Sequence, residues 1–173
     1  MPGPDPLASF QDGSATDHRG RTAAAILDWD DERLEQVHDY IQWLFPLAEP
    51  SPVNPHAPTV TAATREAFAA RPELRNRLRA AFFRMLAFYG LQWQDGEVRK
   101  GPGFADAAWN WLSPGNHNHL RITRILKSLT LLGLEEEARA FQRCLAGIDA
   151  EEQASGRRRI TRATARFWRE AVP

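Results

Sequence analysis

Apolar residues along this chain recur at three- and four-residue spacing, the period of a helix and not of a strand. From Asp30 onward Leu34, Val37, Ile41, Leu44 and Phe45 keep that spacing until Pro46 stops it. Asp30, Asp31 and Glu32 put negative charge at the positive end of a helix dipole, so one helix is predicted over residues 30–45. Residues 46–60 hold five prolines and predict an extended connector. Thr61 caps a short helix ending at Ala70. Pro72 then opens a longer one through Leu74, Leu78, Phe82, Met85, Leu86 and Tyr89, stopped by Gly90. Residues 91–103 predict a loop or a short hairpin, and residues 105–112 a turn of helix. Ser113 as cap and Pro114 as first helical residue start the most regular helix, whose stripe of Ile122, Ile125, Leu126, Leu129 and Leu132 ends at Gly133. Leu134, Ala138, Phe141 and Leu145 mark a further helix; Ile160, Ala163, Phe167 and Ala171 mark the last. Residues 1–21 show no apolar period and read as a disordered tail. With no strand pattern in view, the chain reads as all-α: a single-domain bundle of five to seven helices over residues 22–173.

Composition agrees with a globular chain, at 43% apolar and 25% charged residues. The lone Cys144 excludes an internal disulfide and a cysteine-cluster zinc site, and within a helical pattern it reads as a small buried hydrophobe. No run approaches the roughly 20 apolar residues that a membrane helix needs. The first residues show neither the charge nor the apolar core of a secretory signal, so a cytoplasmic protein is expected, monomeric or weakly dimeric. The formal net charge is zero, yet residues 1–60 carry ten acids against three arginines, which leaves the remainder basic. The two halves either compensate one another or present a basic face to an anionic partner.

Candidate chemistry lies in two lines of polar residues. His117, Arg121, Arg124 and Ser128 follow i, i+4, i+7 and i+11, which puts them within about 60° of one another on a helix. Two guanidiniums and an imidazole in line suit a carboxylate or phosphate; Asn118 joins them as a candidate. Asp31, Glu35, His38 and Gln42 repeat the same spacing on the earlier helix. If those helices are neighbours, the acidic and basic lines pair as a structural ion network, or they line a ligand pocket. Trp43, on the far side of its helix from Leu34, either packs on the proline-rich connector or anchors a partner. His117 and His119 point about 200° apart on a helix and do not suit one metal, and no other metal spacing is present. A general base at His38 or His117 lacks an activated nucleophile beside it, so a binding module is expected and not an enzyme. The arginines at 157–159, with Arg162, Arg166 and Arg169, keep nucleic-acid phosphate as an alternative ligand.

Two segments carry a family resemblance. His38-Asp39-Tyr40-Ile41-Gln42-Trp43-Leu44-Phe45-Pro46 resembles an H-x-Y-I-Q-W-L-F-P motif, and residues 116–129 resemble H-N-x-L-R-I-T-R-I-L-K-S-L. Met85-Leu86-Ala87-Phe88-Tyr89-Gly90 is similar to the helix end between them. All three are features of the conserved domain of the opioid growth factor receptor family. The resemblance implies a signalling receptor that takes a peptide such as Met-enkephalin, with animal members at the nucleus and its membrane. Those members carry a long polar C-terminal extension that this sequence lacks, so a peptide or protein partner is expected and nuclear signalling is not.

Overall fold

The structure, a computed structural model, describes residues 3–173. It is mostly helical, and its residues group into two compact units. Residues up to Ala81, with Leu131–Gly133, form the first; residues 82–130 and 134–173 form the second.

Unit 1 begins with a correction. The expected disordered tail over residues 1–21 does not hold for the described part of it, because Pro6–Asp12 form a helix, α1, with Asp5 as its N-cap (the Ala8 N–H donates to Asp5 Oδ1, 2.8 Å); residues 1–2 lie outside the described residues. Leu7 and Phe10 are fully buried on it. Three long-range contacts fasten it: the Thr64 hydroxyl donates to Asp5 (2.7 Å), Arg71 pairs with Asp12 (2.9 Å), and the Gln11 amide donates to the Leu44 carbonyl (3.1 Å). Ser14 and Arg71 hold the Asp12 carboxyl down at about 2. The buried apolar positions of α1 are Leu7, Ala8 and Phe10 within one short stretch, too few to register as a period.

The predicted helix over residues 30–45 is the second correction. It divides into α3 (Asp31–Gln36) and α4 (Ile41–Leu44), after a short α2 (Ala23–Leu27). Val37 is extended (φ −92°, ψ 132°), and carbonyls on either side of it find side-chain partners. Asn54 donates to the Asp39 carbonyl (2.9 Å), and the Tyr40 hydroxyl donates to the Leu34 carbonyl (2.8 Å). The Asp31/Glu35/His38/Gln42 spacing therefore describes no single helical line. The proline-rich stretch is free of helix and strand, closed by Val60 N–H to the Leu47 carbonyl (2.8 Å). α5 (Ala62–Ala70) is capped by Thr61, as its sequence predicts, and the structure adds a reciprocal bond from Thr64.

α6 (Pro72–Phe88) ends at Gly90 as expected. In unit 2, β1 (Leu91–Gln94) and β2 (Glu97–Lys100) pair antiparallel around Asp95-Gly96, which makes the fold not strictly all-α. Strands of four residues are too short for alternation to stand out. α7 (Phe104–Ala107) and a 3-10 turn lead to α8 (His117–Leu131). α8 starts later than Ser113-Pro114 suggests, because Gly115 sits at φ +70°, which interrupts a right-handed helix; the Asn116 side chain instead accepts from the Asn118 N–H (2.9 Å). β2 packs on α9 (Glu135–Ser155), tied by Arg143–Glu97 (3.0 Å) and by Lys100–Glu151. Trp111 is fully buried and donates to the Tyr89 carbonyl (3.1 Å). α10 (Arg162–Glu170) packs on α9, and the Gln142 amide donates to the carbonyls of Trp168 and Arg169. Trp168 on this helix and Ala171 just after it are buried, whereas Phe167, expected in its apolar stripe, stays 45% exposed.

Candidate binding site

The richest polar constellation of unit 1 converges on Asp39, in the break between α3 and α4. Arg19 donates to its carboxylate, Arg21 Nη1 donates at 2.9 Å, and His18 Nε2 lies 3.5 Å away. Arg21 also pairs with buried Asp17 (2.6 Å), so its fork is held between two acids. Burial pushes the Asp39 carboxyl up, but hydrogen bonds from Arg21 and Arg19 outweigh it and hold the group below the usual carboxylate range. Beside this cluster the Arg33 guanidinium covers the Trp29 ring at 4.3 Å, and that of Arg21 lies 5.4 Å from the same ring. The local cause is readable. Asp30 caps α3 by accepting from the Arg33 N–H (2.8 Å), and side chains in a first helical turn lean back toward the helix start, which here is Trp29. Arg19, Arg21, Trp29, Arg33, His38 and Asp39 line one open cleft.

The candidate residues of this unit divide by depth. His38 is exposed at the cleft. Gln42 is buried behind it, donating to the His38 carbonyl (3.3 Å) and accepting from Asn54 (3.2 Å). Trp43 is 7% exposed; its indole N–H donates to His18 Nδ1 (3.1 Å), and its ring packs against Phe10 and stacks with His18. His18 in turn stacks on His56 of the proline-rich stretch (5.2 Å). Trp43 thus supports the residues that reach the cleft.

In unit 2 the predicted line is a continuous feature of α8. His117 is exposed at its start and Arg124 is half-buried. Asn118 is fully buried and Arg121 is 5% exposed; Arg121 donates to the Asn118 side-chain oxygen at 3.4 Å, and Asn118 donates to the Asn110 carbonyl at 3.2 Å. Ser128 is fully buried and its hydroxyl has no hydrogen-bond partner. Three of these five side chains are therefore withdrawn from solvent.

Sequence reasoning missed Arg19, Arg21, Trp29, Arg33 and Asp39. The first two fell in the supposed tail. A tryptophan one residue before a capping Asp, with Arg in the first turn, was the available signal. Among the described residues no group of His, Cys, Asp and Glu is arranged to hold a metal ion.

Comparison with known proteins bears on the chain as a whole. The opioid growth factor receptor (OGFr) conserved region matches over residues 23–152. The mouse opioid growth factor receptor is 50% identical over 115 residues, covering 64% of this chain and 18% of that protein. The human opioid growth factor receptor is 46% identical over 135 residues, 73% of this chain and 19% of that protein. The opioid growth factor receptor-like protein 1 of Xenopus tropicalis is 43% identical over 108 residues, 61% of this chain and 21% of that protein. The chain thus spans about a fifth of the length of these relatives. No solved structure matches it. Its two motif segments both fall inside the matched region, and the chain belongs to the opioid growth factor receptor family through that family's conserved region.

Proposed function

We propose that this chain is a receptor-type binding module, not an enzyme, and that it holds a peptide or protein partner in the cleft around Trp29. The observation that carries this reading is the pairing of Arg33 and Arg21 with the Trp29 ring, next to an Asp39 carboxylate that already holds Arg19 and Arg21 in place. Side chains fixed before binding lose less entropy when a ligand arrives. The cleft offers an aromatic plane and cationic forks, which suits a segment with a free carboxylate beside an apolar or aromatic side chain. The names of the relatives, receptors for an opioid growth factor, are consistent with a peptide. A cytoplasmic location and a monomeric or weakly dimeric state belong to the same reading.

Two observations favour binding over catalysis. Both ring nitrogens of His18 are engaged, Nδ1 by the Trp43 N–H and Nε2 toward Asp39, which leaves it no free site to act as a base. Burial pushes the Cys144 thiol up to about 11, far from a reactive thiolate.

Isothermal titration with short peptides bearing a free C-terminal carboxylate, Met-enkephalin among them, tests the proposal. Trp29→Ala and Arg33→Ala are expected to weaken binding by about 1.5–3 kcal/mol each, roughly ten- to a hundredfold. Arg33→Lys should recover only part of that, since an ammonium cannot lie flat on the ring as a guanidinium does. Unchanged affinity in both alanine variants, with the melting temperature preserved, would remove the cleft from the binding surface.

A further inference from the structure

The arginines at the end of the chain do not act as one block. Arg157 and Arg159 both turn back onto Glu152, which is 3% exposed (Arg157 at 3.3 Å, Arg159 at 2.8 and 2.6 Å). Arg159 and its companion hold the Glu152 carboxyl below its usual range, so these two charges are spent internally. Arg158, between them, sits at φ +49°, a backbone conformation that a non-glycine residue rarely adopts, and it lines a groove instead. The groove runs between the end of α9 and α10, measures about 710 Å³, and has Arg162, Arg166 and Arg169 along one wall. Among the described residues none of these four arginines makes an ion pair. One acid, Asp149, reaches the groove, and Gln153 donates to it (2.8 Å).

Geometry orders these charges. Positions 162, 166 and 169 fall within about 60° on a helix and spread over roughly 10 Å of its axis. Phe167, about 100° from Arg166 around the helix, is 45% exposed, and the Arg166 guanidinium lies 5.5 Å from its ring. A second hollow shares Asp149, Ala165 and Arg169 with the groove and has an apolar floor of Leu145 and Trp168. The region matched by the family ends at residue 152, so α10 lies beyond what family membership describes.

We infer that the groove between α9 and α10 binds single-stranded nucleic acid, with Arg158, Arg162, Arg166 and Arg169 on the phosphates and Phe167 stacking on a base. A row of unpaired guanidiniums tracks a phosphate backbone, and an exposed aromatic outside the groove's lining but reached by the Arg166 guanidinium is the element a single strand uses and a duplex or a lipid headgroup does not. The inference is independent of the Trp29 cleft.

Fluorescence anisotropy with the full chain and labelled 12-nucleotide DNA and RNA tests it. A dissociation constant of about 10–100 μM is expected near physiological salt, tightening as salt falls. Neutralising four phosphates predicts a slope of log K against log salt of about −2.8, from −0.7 for each phosphate on a single strand. Arg162→Gln with Arg166→Gln should flatten that slope by about 1.4, and the double Lys variant should restore it. Phe167→Ala should weaken binding roughly fivefold or more without changing the slope, and Phe167→Trp should retain it. All these positions are exposed, and circular dichroism melts establish that the variants fold. No binding at low salt, equal affinity for duplex with no effect of Phe167→Ala, or preference for phosphatidylserine vesicles over oligonucleotide would each overturn the inference.

Discussion

At the scale of single residues, the least expected observation is polar atoms left alone in the interior. The Ser128 hydroxyl is fully buried without a partner, on a helix whose neighbouring positions are Ile125 and Leu129. A hydroxyl there costs desolvation and returns no hydrogen bond, so Ser128→Ala is expected to stabilise the protein by about 0.5–1 kcal/mol in urea melts. A loss of stability would show instead that the hydroxyl has a partner. His119 is the second case. Its Nε2–H donates to the Trp111 carbonyl (2.8 Å) and its ring packs edge-on against Trp168, leaving Nδ1 without a partner. Burial lowers its pKa, with a smaller contribution from His117. The unfolded chain therefore takes up this proton more readily than the folded one, and stability falls as pH drops from about 7 through the ordinary histidine value near 6.5. The measurement is the difference between the wild type and His119→Gln. The variant should show the shallower decline between pH 7.5 and 5.

At the scale of elements, α1 shows how a segment without periodicity becomes ordered. Seven residues are too few to hold a helix in water, so α1 is stabilised by what it docks on. Phe10 is fully buried, packs on Trp43 at 5.3 Å, and belongs to the same layer as the rings of His18 and His56. Phe10→Ala should cost about 3–4 kcal/mol in chemical denaturation and weaken peptide binding at the Trp29 cleft through the loosened His18 and Asp39. A cost below about 1 kcal/mol would mean that the helix is dispensable. The break between α3 and α4 follows the same logic. Tyr40 takes the Leu34 carbonyl and Asn54 the Asp39 carbonyl, in place of bonds that a continuous helix would have made, while Arg19 and Arg21 hold the Asp39 carboxylate.

At the scale of the whole molecule, charge and apolar surface set the expected behaviour in solution. The chain carries equal numbers of acidic and basic side chains, and no described helix is long and apolar enough to cross a membrane. Among the described residues, the exposed large hydrophobic side chains are Val53, Trp109, Leu120 and Phe167, four positions spread over four different segments. Light scattering across 5–100 μM should therefore return the mass of a monomer, or of a dimer that dissociates on dilution. A stable larger assembly would show that one of these residues, Trp109 first because it is 82% exposed, lies in an interface.

The sequence by itself determined what depends on neighbours within about four residues. The cap at Thr61, the start at Pro72, the stop at Gly90, the stripe of α8 and the acidic first turn of α9 were all legible, because caps, turns and helical faces are local physics. The family was legible too, since two uninterrupted motifs carry it. Only the tertiary structure decided the rest. Asp5 meets Thr64 and Asp12 meets Arg71 across 59 positions, and Arg21 meets Asp39 across 18, distances at which no spacing rule operates. Those contacts order α1 and gather Arg19, Arg21 and Asp39 at the cleft, whose lining takes only His38 from the predicted line of Asp31, Glu35, His38 and Gln42. Burial likewise separated residues of one apparent class: it withdrew Arg121 and Ser128 from solvent and left Phe167 in it, a distinction set by which face of each helix the rest of the chain covers.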